Sequence, residues 1–288
     1  MSRFSVPFFL ALISAPAAAQ PEDVSKLRAE WNRSTEPFRL VGNVYYVGTE
    51  GLAAFLITGP EGHVLIDGAL EESAPQIAAN IRRLGFRIED VDILLINHAH
   101  WDHSGGLAEL KRLSGAKLLA SAADKPALES GVPRYRPDMS PSAPVKVDAI
   151  ISDGSRIAVG RTSLVTHLTP GHTRGCTSWT MRIEEKGKLL DLVFACSLTV
   201  AGQKLVGDSL YPEAAADFRA TYSKLKRLQA DVYLTYHPAF FDMDAKRRRL
   251  AEGDADAFVD SGELARRVQR AETEFKAELH RQQREASQ

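Results

Sequence analysis

The sequence predicts an α/β protein built as an αβ/βα four-layer sandwich, with two mixed β-sheets packed together and helices flanking them. Three observations predict it. Strand-like runs are followed by helical runs twice along the chain, which gives two similarly ordered halves. The longer helical runs each carry a single apolar stripe, so each covers one face of a sheet. Two buried-type strands, Val91–Ile96 and Val232–Tyr236, run into His98 and His237, which brings both strand ends to one edge.

The elements follow in order. Val41–Ile57 is rich in β-formers and broken by glycines, and Pro60-Glu61-Gly62 turns into a strand at His63–Asp67. Ile77, Ile81 and Leu84 share one face of a helix over Glu71–Leu84. Ser104 is placed to cap a helix over Gly105–Leu113, with Leu107 and Leu110 facing in. Ala116–Ala120 is a strand and Ala122–Glu129 a short helix. Pro133–Pro144 is rich in Pro and Ser, has two internal arginines and shows no periodicity; it is a loop of the kind that borders grooves. Ala149–Ile151, Ser155–Val159 and Thr162–Leu168 are strands, and Thr177–Glu184 pairs with Lys188–Ala195 in a hairpin around Glu185-Lys186-Gly187. Phe218, Tyr222, Leu225 and Leu228 line a helix over Glu213–Leu228. A long C-terminal helix is capped by Asp260 or Ser261, with Glu263 as capping-box partner and Leu264, Val268, Ala271, Phe275 and Leu279 as its core stripe. The basic run Lys246–Arg249 reads as a solvated face, and the letters show no internal repeat.

Composition excludes several functional classes. With 36 basic and 37 acidic residues the chain lacks the electrostatic footprint of a nucleic-acid binder. Met1–Ala19 has the basic start, short apolar run and small-residue end of a signal peptide, which leaves a single domain over residues 20–288. The apolar run Val6–Ile13 falls well short of the roughly 20 residues that span a bilayer. The expectation is an exported protein, periplasmic in a Gram-negative host, with no stable membrane insertion and no obligate protein partner. Two cysteines make no disulfide scaffold, but an oxidising compartment permits pairing. A hairpin centred on residue 186 pairs positions summing to 372 and sets Cys176 opposite Cys196. A cross-strand disulfide, two buried thiols and Cys196 as a metal ligand are the three readings of that pair.

The chemistry concentrates in His98-Ala99-His100-Trp101-Asp102-His103. His98 and His100 alternate in an extended segment and point the same way, so they can share one ion. Asp102 and His103 come after a turn and reach a second. Structural zinc sites favour closed, cysteine-rich ligand sets, and this loop contains no cysteine. Two adjacent metals of this kind serve metal-assisted hydrolysis. His172 in Thr169-Pro170-Gly171-His172-Thr173 and His237 before Pro238 both stand at strand ends and suit further ligands. His63, His167 and His280 lack such settings and read as structural.

H-x-H-x-D-H, then G-H-T, then an isolated strand-end histidine resembles the metallo-β-lactamase superfamily. The likeness runs over most of the mature chain. Trp31…Pro37-Phe38, Asn43–Gly48, Gly51-Leu52, Leu65–Gly68, Pro170–Thr173 and Thr177-Ser178-Trp179 are similar to the subclass B3 β-lactamases. The resemblance implies two zinc ions, one on His98, His100 and His172 and the other on Asp102, His103 and His237. Relatives that cleave thioesters, lactones or nucleic acids place a bridging aspartate after the strand that follows G-H-T. Here that strand ends Phe194-Ala195-Cys196-Ser197-Leu198, and the next carboxylate is Asp208. Ser197 in that place is similar to B3 enzymes, whereas subclass B1 carries a cysteine.

The function implied is hydrolysis of penicillins, cephalosporins or carbapenems (EC 3.5.2.6), the small-molecule partner being the β-lactam. Zinc lowers the pKa of bound water to about 7, so hydroxide is available to attack the ring carbonyl, with Asp102 orienting it. Ser197 and Thr199 match positions that hold the substrate carboxylate. Gln203 replaces an aromatic residue common in relatives. An exported lactone or thioester hydrolase is the alternative enzyme, and a zinc-sequestering protein the alternative outside catalysis.

Overall fold

The computed structural model describes residues 21–288; the signal peptide expected over Met1–Ala19 lies outside the described residues. The first half comprises α1 (Pro21–Trp31), β1 (Phe38–Val41), β2 (Val44–Tyr46), β3 (Phe55–Ile57), β4 (His63–Ile66), α2 (Ala74–Arg83), β5 (Val91–Leu95), α3 (Trp101–Ser104), α4 (Leu107–Ser114), β6 (Lys117–Ser121), α5 (Lys125–Ser130) and β7 (Ala149–Ile151). Its seven strands form one sheet in chain order. The first four pair antiparallel through short connections. From β4 onward the pairing is parallel, and α2, α3, α4 and α5 lie in the crossovers that parallel strands require.

The second half comprises β8 (Arg156–Val159), β9 (Thr162–Leu168), β10 (Thr177–Glu185), β11 (Lys188–Ala195), α6 (Ala214–Leu225), β12 (Val232–Thr235), α7 (Met243–Ala251) and α8 (Glu263–Ala286). Its five-stranded sheet has the order β12-β11-β10-β9-β8, with β11 and β12 parallel across α6. Both sheets are therefore mixed, and helices flank them. One core joins the inner faces of the two sheets to α6 and α8 through Phe55, Phe194, Trp179, Phe218 and Phe275. The other fills the space between the first sheet and α2, α4 and α5 through Leu56, Leu65, Leu94, Ile77, Leu107 and Leu128. No helix among the described residues is long and apolar enough to cross a membrane.

Several local expectations are corrected. Ser104 ends α3 and donates to the His100 carbonyl at 2.9 Å, while Gly106 stands at the start of α4. Gly262, not Asp260 or Ser261, precedes α8, and its N–H is taken by Asp260 Oδ1 at 3.0 Å. Glu263 is no capping-box partner: it is buried and paired with Lys246 and Arg267. Lys246 accordingly does not belong to a solvated face, although Arg248 and Arg249 do.

The hairpin register also differs by one. Trp179 pairs with Phe194 and Glu185 with Lys188, so positions sum to 373 and the turn is Lys186-Gly187 alone. Both residues have positive φ, 52° and 76°, the conformation of a two-residue turn that matches strand twist. Cys176 and Cys196 are then one step out of register. They are nonetheless disulfide-bonded, with a Cα–Cα distance of 5.9 Å, because both lie just past the ends of the regular ladder.

Candidate metal centre

The site forms where the two sheets present their strand ends. β5 delivers Asn97 and His98, and the one-turn helix α3 holds Trp101, Asp102 and His103 immediately beyond His100. The turn after β9 brings His172, and β12 ends one residue before Tyr236 and His237. Donor atoms of His98, His100 and His172 lie within 4.8 Å of one another, as do those of Asp102, His103 and His237. The loop's four candidate ligands thus divide between two clusters, each completed by one of the strand-end histidines. His63, His167 and His280 lie in neither cluster. His63 accepts the Gly59 N–H, His167 bonds Thr180 Oγ1 at 2.8 Å, and His280 is exposed.

Neighbouring groups set which ring nitrogen each histidine offers. His172 Nδ1 donates to the Thr199 carbonyl at 2.8 Å, and His237 Nδ1 to the Gly51 carbonyl at 2.9 Å. Asn97 Oδ1 takes His98 Nδ1. In all three rings Nε2 is left with its lone pair free, as a metal ligand requires. His100 Nε2 and both nitrogens of His103 are buried with no hydrogen-bond partner among the described residues. Leaving such groups unpaired costs free energy; a cation in each cluster would give His100 Nε2 and one nitrogen of His103 a partner. The donor set of imidazoles and a carboxylate, with no free thiol, suits zinc.

Protonation states point the same way. Burial holds His98 and His100 well below the ordinary imidazole range and brings His172 down to about 4. Burial alone would raise the Asp102 carboxyl, but His103 and His237 pull it well below the usual value. Asp102 Oδ2 lies 3.1 Å from His103 Nε2 and 3.5 Å from His237 Nε2. Neutral imidazoles and an ionised carboxylate are the forms that bind a metal.

Residues beyond the predicted ligands hold the frame. Asp67 has φ 67°, a left-handed conformation that Asp tolerates better than most residues. It accepts the Asn97 N–H at 2.9 Å and lies 3.8 Å from His103 Nδ1. Tyr236 packs its ring against His98, His103, His172 and His237. Ser197 is buried, and its hydroxyl donates to Tyr236 at 2.7 Å and lies 3.1 Å from Thr199 Oγ1. Thr199 is half-buried. Gln203 is buried and donates to Asp208 Oδ2 at 3.0 Å.

Helix α1, which is not among the elements expected from the sequence, reaches the rim. Trp31 stacks on Trp101 at 5.9 Å and sits 5.0 Å from His237. Gly51 has no room for a side chain, because a Cβ there would lie 2.7 Å from Trp31 Cα. The same Gly51 gives its carbonyl to His237, so the rim and the ligand are fixed together. A cleft of about 710 Å³ lined by Trp31, Gly51, His237, Phe240 and Arg248 opens here.

Asp124 is the residue that sequence reading misses most clearly. It is buried and accepts the Ala99 N–H at 2.9 Å, the Thr173 hydroxyl at 3.1 Å and the Gly175 N–H at 3.1 Å. It therefore ties the loop of His98 and His100 to the loop of His172. Burial outweighs these donors and raises its carboxyl to about 6. Gly175 is required beside it, since a Cβ would lie 2.4 Å from its Cγ. Asp124→Ala orphans these donors, so we expect a loss of about 2–3 kcal/mol in stability and about 10–100-fold in zinc affinity. Denaturant melts and competition with a chromogenic chelator measure both; an unchanged affinity would show that Asp124 does not position the ligands.

A family model described as the metallo-beta-lactamase superfamily matches residues 47–237. The fold superposes on BJP-1, a subclass B3 metallo-beta-lactamase of Bradyrhizobium japonicum, with a TM-score of 0.85 and 39% identity, covering 89% of this chain and 98% of that one. A UPF0173 metal-dependent hydrolase of Anaeromyxobacter dehalogenans is 28% identical over 208 residues, 70% of this chain and 68% of the relative. A hydroxyacylglutathione hydrolase of Anaeromyxobacter dehalogenans is 32% identical over 97 residues, 34% of this chain and 30% of the relative. The chain spans between 28% and 68% of the first curated relatives it matches.

Proposed function

Because the chain belongs to the metallo-beta-lactamase superfamily, we propose that it is an exported, zinc-dependent β-lactamase of the subclass B3 kind. The observation that carries the reading is the pair of separate donor clusters with no carboxylate shared between them. Ser197 stands past the end of β11, where thioesterase-like relatives place the bridging acid. Likeness to B3 structures over nearly their whole length supports the same reading. Residues 1–19 supply the proposed export signal and the periplasm the proposed compartment.

His98, His100 and His172 would hold one zinc, and Asp102, His103 and His237 the other. When bound, zinc supplies Lewis-acid polarisation of the carbonyl and a more acidic water. Asp102 stays ionised and is available to accept a proton from the attacking water at Oδ. Thr199 donates its half-exposed hydroxyl to the substrate carboxylate, with Ser197 and Tyr236 fixing its rotamer. Trp31 and Phe240 line the cleft beside His237.

The matches to metal-dependent hydrolases and to a hydroxyacylglutathione hydrolase favour a second reading, an exported hydrolase of lactones or thioesters. A panel at equal zinc loading separates the two: a chromogenic cephalosporin, an acyl lactone and an aryl thioester. The expected result is cephalosporin turnover that a chelator abolishes and zinc restores. Zinc-loaded protein that cleaves the thioester and leaves the cephalosporin intact would overturn the first reading.

A further inference from the structure

A hollow of about 320 Å³ lies between α8 and the end of β12. Thr199, Tyr236 and Phe240 line it from the metal centre, and Arg270 and Ala271 line it from α8. Two of these residues are tied directly to the centre. The Thr199 carbonyl accepts from His172 Nδ1 at 2.8 Å, and the Phe240 N–H donates to the His237 carbonyl at 2.9 Å. Phe240 is 41% exposed, and its ring centroid lies 5.4 Å from that of His237 and 5.5 Å from that of Tyr236. The same residue lines the cleft of about 710 Å³ beside Trp31, so hollow and cleft adjoin across Phe240.

The size of the hollow falls among small-molecule sites, which run from about 300 to 1,000 Å³. Its charges are matched within the lining. Arg267 holds Asp242 at 2.6 Å, and Arg270 holds Glu274 at 2.8 Å. Its hydroxyls are committed too: Thr235 Oγ1 donates to the Ala195 carbonyl at 2.8 Å, and the Tyr236 hydroxyl accepts from Ser197 at 2.7 Å. A charged group entering the hollow therefore meets no free counter-charge. A flat, uncharged ring meets the side chains of Leu198, Phe240 and Ala271 instead. An exposed phenylalanine beside open space gains from packing against a second aromatic ring.

We propose that this hollow is a subsite for an uncharged aromatic substituent of the substrate, with Phe240 as its packing wall. In cephalosporins and carbapenems the carboxylate is carried by the ring carbon next to the one that bears the exocyclic substituent. A carboxylate held by Thr199 brings that neighbouring substituent within reach of the hollow. The amide side chain, on the opposite side of the lactam, stays outside it. Which substituent enters rests on the β-lactamase reading; the aromatic preference of the hollow does not.

The test uses zinc-loaded protein and two matched pairs of cephalosporins, followed by loss of the lactam absorbance. In the first pair the substituent beside the carboxylate is styryl or vinyl. In the second the amide side chain is phenylacetyl or acetyl. Phe240→Ala is expected to lower the styryl-to-vinyl ratio of kcat/KM about five- to tenfold, the weight of one aromatic pair, chiefly through KM. The phenylacetyl-to-acetyl ratio should hold. Ala271→Leu, which fills the hollow from α8, should lower the styryl-to-vinyl ratio as well. Should Ala271→Leu not fold, Phe240→Ala, at an exposed position, still decides. A styryl-to-vinyl ratio that Phe240→Ala leaves unchanged, or equal falls for both pairs, would overturn the proposal. Calorimetric binding of ortho-phenylbenzoate and ortho-methylbenzoate reads the hollow without turnover, and Phe240→Ala should erode the preference for the phenyl compound about five- to tenfold. If the unmodified enzyme cleaves no cephalosporin, the β-lactamase reading falls and the two benzoates alone decide. An unchanged affinity ratio between them would then overturn the subsite.

Discussion

On the proposed β-lactamase reading, replacing His100 with alanine is expected to lower kcat/KM for a β-lactam by at least about a thousandfold while leaving the metal-free protein about as stable as before. The two halves of this result have one cause. His100 is buried, its Nε2 has no partner among the described residues, and burial with the nearby His172 keeps it neutral. Without metal, that imidazole contributes a desolvated, unpaired nitrogen to the fold, a liability of about 1–3 kcal/mol. Alanine removes the liability and leaves a small cavity, and the two terms roughly offset. With metal, the first cluster drops from three nitrogen donors to two and no longer holds zinc at working concentrations. On the two-zinc reading, bound metal falls to about one ion per chain, because Asp102, His103 and His237 are untouched. Atomic emission on dialysed protein, kcat/KM, and melting temperatures with and without chelator measure all three effects. Activity within about tenfold of the unmodified enzyme, with two zinc ions retained, would show that the His98–His100–His172 cluster is not the metal site described above.

The same burial explains why so much of this centre was legible in the letters. A strand leading straight into alternating histidines fixes their common direction by local geometry alone, and the turn that separates Asp102 and His103 is equally local. Glycine and proline around His172, and the strand before His237, place those two residues at ends. What local pattern cannot reveal is a role made by remote partners. Asp124 lies in an Ala-Ala-Asp-Lys stretch that reads only as a helix start, and its function arises from Ala99, Thr173 and Gly175. Helix α1 has only the short apolar stripe of Val24, Leu27 and Trp31, and it docks Trp31 on Trp101 and Arg28 on Glu72. The closeness of the two cysteines was legible for an inexact reason, and their bonding was one of three readings left open. The hairpin is one residue out of the expected register, and the two sulfurs meet because the chain is released from the ladder at Cys176 and Cys196.

Glu263→Leu is expected to cost about 3–5 kcal/mol, Lys246→Met distinctly less, and the double variant within about 1 kcal/mol of the unmodified protein. The asymmetry follows from who else is present. Lys246 and Glu263 form an ion pair under α7 and α8, with the ammonium 5.9 Å from the Phe241 ring and 5.8 Å from Phe258. Glu263 has a second cation, since Arg267 Nη2 lies 3.0 Å from its Oε1. Removing the lysine therefore leaves the carboxylate paired. Lys246 has no second ion-pair partner among the described residues, so removing the glutamate strands a buried charge among aromatic rings. Replacing both charges with apolar side chains of similar volume strands nothing and keeps the contacts with Phe241 and Phe258. The cycle also reaches the metal centre, because α8 packs beneath β12, whose end carries His237, and Gln282 on α8 bonds the Gln203 carbonyl at 3.1 Å. In Glu263→Leu the loosening should appear as weaker zinc binding as well as lower stability, and in the double variant both should return. Urea melts with the four proteins of the cycle, each with and without zinc, provide the measurement. Single-variant losses that simply add in the double variant would mean that the pair is not coupled, and that Lys246 is as solvated as its basic neighbours.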